Sequence, residues 1–184
     1  MPLIQEAGGT LLAWSTQDGG PALAHGLLQR CWDLPGHPIG PDNSTVIEDG
    51  GAVVALLLGG EAGAWTRDES AHLVPLEGLA RLPILQRFHR RLQTQRDARP
   101  ALPAGAWYLS SLGVRPSHRR RGLARMLLAE ATRHAHSHAC ARILVEVVAD
   151  NAGAVALYRS DGFQDELTWS LPRGPTILRL TRRV

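Results

Sequence analysis

The second half of the chain alternates apolar runs of strand length with segments of helical period, and no other feature constrains the fold as much. "AWYLSSLGV", ending at Val114, reads as a strand. A helix follows from Gly122 to about His138, then "ARILVEVVAD" as a buried strand and "NAGAVALYRSDG" as a short helix. "TWSLPRGPTILRLT" predicts two final strands around a Pro-Gly turn. Strands alternating with helices predict an α/β sheet with crossover helices. The first half is less regular. "PALAHGLLQRCW" from Pro21 predicts a helix, because Leu23, Leu27 and Leu28 fall near one face, and "DLPGHPIGPDN", Asp33–Asn43, is a loop by its Pro and Gly. "STVIEDGGAVVALLLGG" predicts two strands meeting at Asp49–Gly51. Residues from Asp68 to Gln95 carry a helical pattern interrupted by Pro75 and Pro83, and "RDARPALPAG" closes it as a loop.

Composition removes several classes. A chain of 184 residues, 44% apolar, buries a core and predicts one domain. Its longest apolar run, "AVVALLLGG", is too short to cross a bilayer, and "MPLIQEAGG" lacks the basic-then-apolar pattern of a secretory signal. Cys31 and Cys140 are too few for a disulfide framework, so a cytoplasmic location is expected. All twenty basic residues are arginine, but the net charge is only +3, so the global balance does not argue for nucleic acid.

Local charge matters more. "PSHRRRGLARMLLAEA" sets His118, Arg119, Arg120 and Arg121 against Gly122 at the start of a helix, where the dipole already favours anions. A strand feeding a helix N-terminus through such a loop makes an anion site, since the first-turn N–H groups lack carbonyl partners. Gly122 and the small Ala124 let a phosphate approach the backbone. The competing reading is a solvated basic loop before an ordinary core helix. Neither a P-loop nor a Gly-x-Gly-x-x-Gly dinucleotide fingerprint is present.

A second cluster separates these readings. "VRPSHRRRGLARMLL" resembles the acetyl-CoA-binding motif of the Gcn5-related N-acetyltransferase (GNAT) family: Arg119, Gly122 and Ala124 match its core pattern of Arg or Gln, two residues, Gly, one residue, Gly or Ala. "LVEVVADNAGAVALYRSDGF" resembles the family's second signature through Asn151, Leu157, Tyr158, Gly162 and Phe163, and is most similar to the ribosomal-protein alanine N-acetyltransferase branch. The two motifs cover about a third of the chain, and residues 1–106 match only in general layout.

The resemblance implies a single α/β domain over residues 1–184, with a mixed, mostly antiparallel central sheet flanked by helices and a splayed strand pair at the acetyl-CoA site. Residues 1–106 would be the variable acceptor half, 107–163 the cofactor-binding and catalytic core, and 164–184 the C-terminal strands. It implies backbone N–H groups from Leu112, Gly113 and Val114 for the acetyl carbonyl and pantetheine. The pyrophosphate would rest on Arg119, Arg120, Arg121, Gly122, Leu123, Ala124 and Arg125, with Asn151 and Tyr158 as further cofactor contacts. Tyr158 falls where the family places its general acid; a phenol of pKa about 10 can protonate a thiolate whose thiol has pKa about 8.5. Glu146, the one ionisable residue in "ILVEVV", is the candidate base, by its burial and by its spacing to Tyr158. Tyr108 holds the place where other members carry a glutamate on the preceding strand, which leaves a water chain as the alternative.

The partners implied are acetyl-CoA and an amine acceptor, on a small molecule or a peptide N-terminus, with no metal, nucleic acid or membrane; a homodimer stays open. A domain that binds acyl-CoA without turnover is the alternative, and DNA binding through the arginines ranks last because few aromatics interleave with them. "HAHSHAC" does not read as a metal site: His134 and His138 share a helix face while His136 points away. Trp14, Trp32, Trp65, Trp107 and Trp169 each read as core residues, while the resemblance implies that Asp33, Asp42 and Trp169 lie in or beside loops lining the acceptor groove, where acidic groups would suit a cationic amine.

Overall fold

The computed structural model describes residues 20–67 and 83–184. Helix α1 (Gly20–Asp33) leads through a 3-10 turn at Pro41–Asn43 into the hairpin β1 (Ser44–Asp49) and β2 (Ala52–Glu61). Gly50 and Gly51 both have positive φ, 58° and 76°, as a two-residue turn matched to the twist of its strands requires. A short helix α2 (Ala62–Arg67) and helix α3 (Pro83–Ala98) follow, then β3 (Ala106–Val114), α4 (Leu123–Ser137), β4 (Arg142–Val148), α5 (Ala152–Ser160), β5 (Gln164–Ser170) and β6 (Thr176–Arg183).

The strands form one six-stranded sheet in the order β1-β2-β3-β4-β6-β5, antiparallel except for β3 against β4. This is the mixed, mostly antiparallel sheet that the resemblance implied. Side chains alternate across it. One face carries Trp107, Leu109, Ile143, Val145, Val147 and Leu180 against Leu127, Leu128 and Ala131 of α4 and Val155 and Tyr158 of α5. The other carries Tyr108 and Leu144, packed with Ala62, Trp65 and Leu102.

Two strands that begin as neighbours then part. The parallel ladder joins Ala106 through Leu109 to Arg142 through Val145 and stops. Beyond it β3 stays paired with β2 as far as Val114, and β4 stays paired with β6 as far as Val148. A register shift marks the same place. Leu58 faces Ser111 and Gly59 faces Leu109, which leaves Ser110 bulged out of the ladder, and a bulge increases local twist.

Three boundaries differ from the sequence reading. α3 runs through Ala98, so Arg96 and Asp97 are helical and the connecting loop starts at Arg99; a helical turn without apolar residues leaves no periodic signal. α2, of 6 residues, is too short to show a period, and β5 starts four residues earlier than expected, at Gln164 and not Thr168, because its first residues are exposed and polar on an edge strand. The helical pattern around Pro75 lies outside the described residues. Among those described, no helix is long and apolar enough to cross a membrane.

Candidate active site

The loop between β3 and α4 is tightly turned. Pro116–His118 forms a 3-10 turn, Arg120 and Gly122 adopt φ of 61° and 79°, and α4 starts at Leu123 with no side chain capping it. Successive N–H groups in a turn with left-handed residues form an anion-binding concavity, here continuous with an uncapped helix start. A Cβ at Gly122 would meet no protein atom within 4 Å. The protein therefore requires glycine there for its φ, and the space in front of it is free for a ligand.

The arginines divide by task. Arg119 donates from Nε to the Val114 carbonyl at 3.0 Å, and Arg125 reaches Ser160 Oγ at 3.3 Å, tying α4 to α5. Arg120 and Arg121 are exposed and form no side-chain hydrogen bond or ion pair among the described residues. Two structural arginines and two open ones thus flank the amides of Gly122, Leu123 and Ala124.

Leu112, Gly113 and Val114 do not contribute alike. Arg115 donates its N–H to Val54 on β2 at 2.8 Å, and antiparallel pairing alternates, so Gly113 also turns its N–H toward β2. Leu112 and Val114 turn theirs to the opposite edge, into the gap beside β4. The amide of Gly113 thus belongs to the sheet ladder. Ser110, which sequence reasoning passed over, sits at the mouth of this gap. Its only signal was a pair of serines in an otherwise apolar strand.

Tyr158 is buried on the α4–α5 face, its ring edge-on to Phe163 with centroids 5.6 Å apart. Among the described residues its hydroxyl has no hydrogen-bond partner. Burial pushes its pKa well above the usual phenol value, so it stays a proton donor at neutral pH. Asn151 caps α5, its Oδ1 accepting from the Ala154 N–H at 3.1 Å.

Glu146 points the other way. It is the first β4 residue past the end of the parallel ladder, and its neighbours Val145 and Val147 join the Tyr158 face, so its carboxylate lies on the opposite side of the sheet. There Oε1 accepts from Arg179 Nε at 3.0 Å and Nη2 at 2.7 Å, and Oε2 accepts from Arg99 Nε at 2.8 Å and stands 3.5 Å from the Tyr108 hydroxyl. The Glu146 side chain is 6% exposed and that of Arg179 2%. Burial matches the expectation, but the two guanidinium partners were not foreseen: both carboxylate oxygens already accept hydrogen bonds. Arg99 also lies over the Tyr108 ring at 4.8 Å, and Tyr108 meets Trp65 edge-on at 5.5 Å. Burial raises the Tyr108 pKa; Arg99 and Arg179 partly oppose this and Glu146 adds to it.

The remaining candidates are structural. His134 stacks on Trp107 with centroids 5.6 Å apart and His138 lies 4.8 Å from it, so the two share a face as their spacing implied. No group of three potential metal ligands occurs among the described residues. Trp65, Trp107 and Trp169 are buried, Trp32 packs beside Leu28, and Trp14 is outside the described residues. Asp33 accepts from Gln29 and Asp42 lies in the exposed 3-10 turn. Cys31 and Cys140 are buried and unpaired, and burial pushes the Cys31 thiol up to about 11.

Residues 27–163 match the family described as "Acetyltransferase (GNAT) family". The match extends well beyond the two motifs, into the half where the sequence had shown only a common layout. The chain is 29% identical over 135 residues to GCN5-related N-acetyltransferase 4, chloroplastic, of Arabidopsis thaliana; the aligned region is 71% of this chain and 40% of that protein. The chain therefore spans less than half the length of this relative. Among solved structures, an acetyltransferase superposes with a TM-score of 0.65 at 21% identity, over 98% of this chain and 93% of the other. An N-acetyltransferase from Staphylococcus aureus Mu50 gives 0.69 at 13% identity, over 94% and 91%. At such identities the structural likeness is one of fold.

Proposed function

Because the chain belongs to the acetyltransferase (GNAT) family, we propose that it transfers the acetyl group of acetyl-CoA to a primary amine, on a small molecule or on a peptide or protein N-terminus. The observation that carries this reading is the parting of β3 from β4 immediately after Leu109 and Val145. It opens the sheet between the Leu112 and Val114 amides of β3 and the buried phenol of α5.

The residues suit the cosubstrate by charge and shape. The amides of Gly122, Leu123 and Ala124, with Arg120 and Arg121 beside them, suit a pyrophosphate, and Leu112 and Val114 offer N–H groups to the pantetheine arm and the acetyl oxygen. When bound, acetyl-CoA supplies an activated acyl carbon and a thiolate leaving group. Backbone donors that are fixed beforehand stabilise the charge that develops on the acetyl oxygen without reorganising. The amine nitrogen bonds to the acyl carbon, the carbon–sulfur bond breaks, and Tyr158 gives its proton to the departing sulfur. The proton that the amine loses passes to water, from which Tyr158 is reprotonated; Glu146 is held by Arg179 and Arg99 and takes no part. Two buried, unpaired cysteines suit a reducing compartment such as the cytoplasm.

A panel of amines and peptide N-termini, assayed for CoA release from acetyl-CoA, tests this. Release stimulated by one acceptor class supports transfer. Tight acetyl-CoA binding with no release for any acceptor would instead favour the domain that binds acyl-CoA without turnover.

A further inference from the structure

Four elements converge where the sheet opens, and one arginine touches three of them. Arg179 is the direct cross-strand partner of Glu146 in the β4–β6 ladder and one of the least exposed residues among those described. Its guanidinium donates to Glu146 through Nε and Nη2, to the Ala101 carbonyl through Nη1 at 2.8 Å, and to the Pro100 carbonyl through Nη2 at 2.5 Å. Those two carbonyls belong to the segment that enters β3, and Arg99 from the same segment returns to Glu146 Oε2. Tyr108, two residues before the bulged Ser110, completes the cluster. All three nitrogens of the planar fork donate, to Glu146 on one side and to the Pro100 and Ala101 carbonyls on the other, which a lysine would not reproduce.

We propose that Arg179 is a positioning residue for the acceptor side of the site: through Glu146 and the Pro100–Ala101 carbonyls it fixes how far β3 stands from β4. Glu146 acts through this clamp and takes no proton. The gap has no ladder of its own past Leu109 and Val145, so its width is set by whatever holds its two rims. On this face that is the Arg179 fork, joining the β4 rim to the chain entering β3. The kinetic part of the proposal rests on the acetyltransferase reading; the structural part does not.

The test compares wild type with Arg179→Met, Arg179→Lys, Glu146→Gln and the double variant Glu146→Gln/Arg179→Met, which removes both partners of this pair while the glutamine oxygen can still accept from Arg99. Hydrogen exchange is followed in peptides spanning residues 106–111 and 142–146, with α4 as internal reference. At least tenfold faster exchange at the ladder end, with α4 unchanged, is expected in Arg179→Met and in the double variant. In active protein the acceptor KM should rise at least tenfold while acetyl-CoA affinity stays within twofold, Arg179→Lys should recover only part of the loss, and Glu146→Gln should keep the wild-type pH profile. The double variant should regain thermal stability without regaining acceptor kcat/KM. Recovery of kcat/KM together with stability would reduce the cluster to a structural role, and loss of a pH limb in Glu146→Gln would make Glu146 the base. Unchanged exchange in the folded variants overturns the clamp even if no acceptor is found, whereas altered exchange with no CoA release from wild type counts against the transferase reading alone.

Discussion

The two faces of the sheet solve different problems. On the α4–α5 face the groups proposed for the cosubstrate come from two short stretches, 112–125 and 151–158, and are largely backbone amides beside exposed arginines. On the opposite face the polar cluster is dry and assembled across long separations; Arg179 and the Pro100 carbonyl are 79 residues apart. A site made of backbone tolerates changes of side chain but not of φ. A buried ionic cluster responds in the opposite way, because removal of one partner leaves a desolvated charge, at a cost of about 3–5 kcal/mol, whereas exposed charges change stability by less than about 0.5 kcal/mol.

Changes on the cosubstrate face should therefore separate binding from folding most sharply. Gly122→Val combines a β-branched residue with a φ of 79° and fills the space before the helix start, so acetyl-CoA affinity should fall more than a hundredfold while circular dichroism stays that of the wild type. Normal affinity in the folded variant would remove the anion cradle. Tyr158→Phe keeps the ring against Phe163 and deletes the proton, so turnover should fall about a hundredfold with acetyl-CoA affinity, measured by calorimetry, within twofold. Loss of affinity with turnover retained would reverse the assignment.

Alkaline unfolding compares the faces directly. Burial raises the pKa of both Tyr158 and Tyr108 above the value of about 10 for an unfolded chain, so each contributes stability that is complete below pH 10 and lost as pH rises toward its folded-state value. Melting temperature should fall above pH 10, and Tyr158→Phe and Tyr108→Phe should each flatten that decline. A decline that neither variant alters would assign it to other groups. The smallest effect is expected from Asn151→Ala, which removes the α5 cap and should lower unfolding stability by about 1 kcal/mol in denaturant titration, with acetyl-CoA affinity reduced only slightly. A large loss of affinity would mean that the asparagine contacts the cosubstrate itself.

The same contrast explains what could be read in advance. Arg119, Gly122, Ala124, Asn151 and Tyr158 lie in contiguous stretches whose spacing reflects local geometry, and the parting of β3 and β4 was implied by the family they resemble. The position of Glu146 on an apolar strand was legible as well, because a charge among Ile, Leu and Val stands out. Its partners were not. Arg99 reads as one of several arginines at a helix end, and Arg179 as an alternating residue of a terminal strand; only the β4–β6 register places Arg179 opposite Glu146. The Ser110 bulge is likewise a property of two paired strands, set by Gly59 on β2 as much as by β3 itself. What the chain encodes over a dozen residues was visible, and what pairing creates was not.

The most direct test is the position of the thioester sulfur in a crystal structure with a non-hydrolysable acetyl-CoA analogue. The sulfur should lie within hydrogen-bonding reach of the Tyr158 hydroxyl, with the pyrophosphate on the amides of Gly122 to Ala124 and Glu146 still held by Arg179. An analogue seated on the Glu146 face, or a pyrophosphate away from the start of α4, would contradict the division of labour between the two faces.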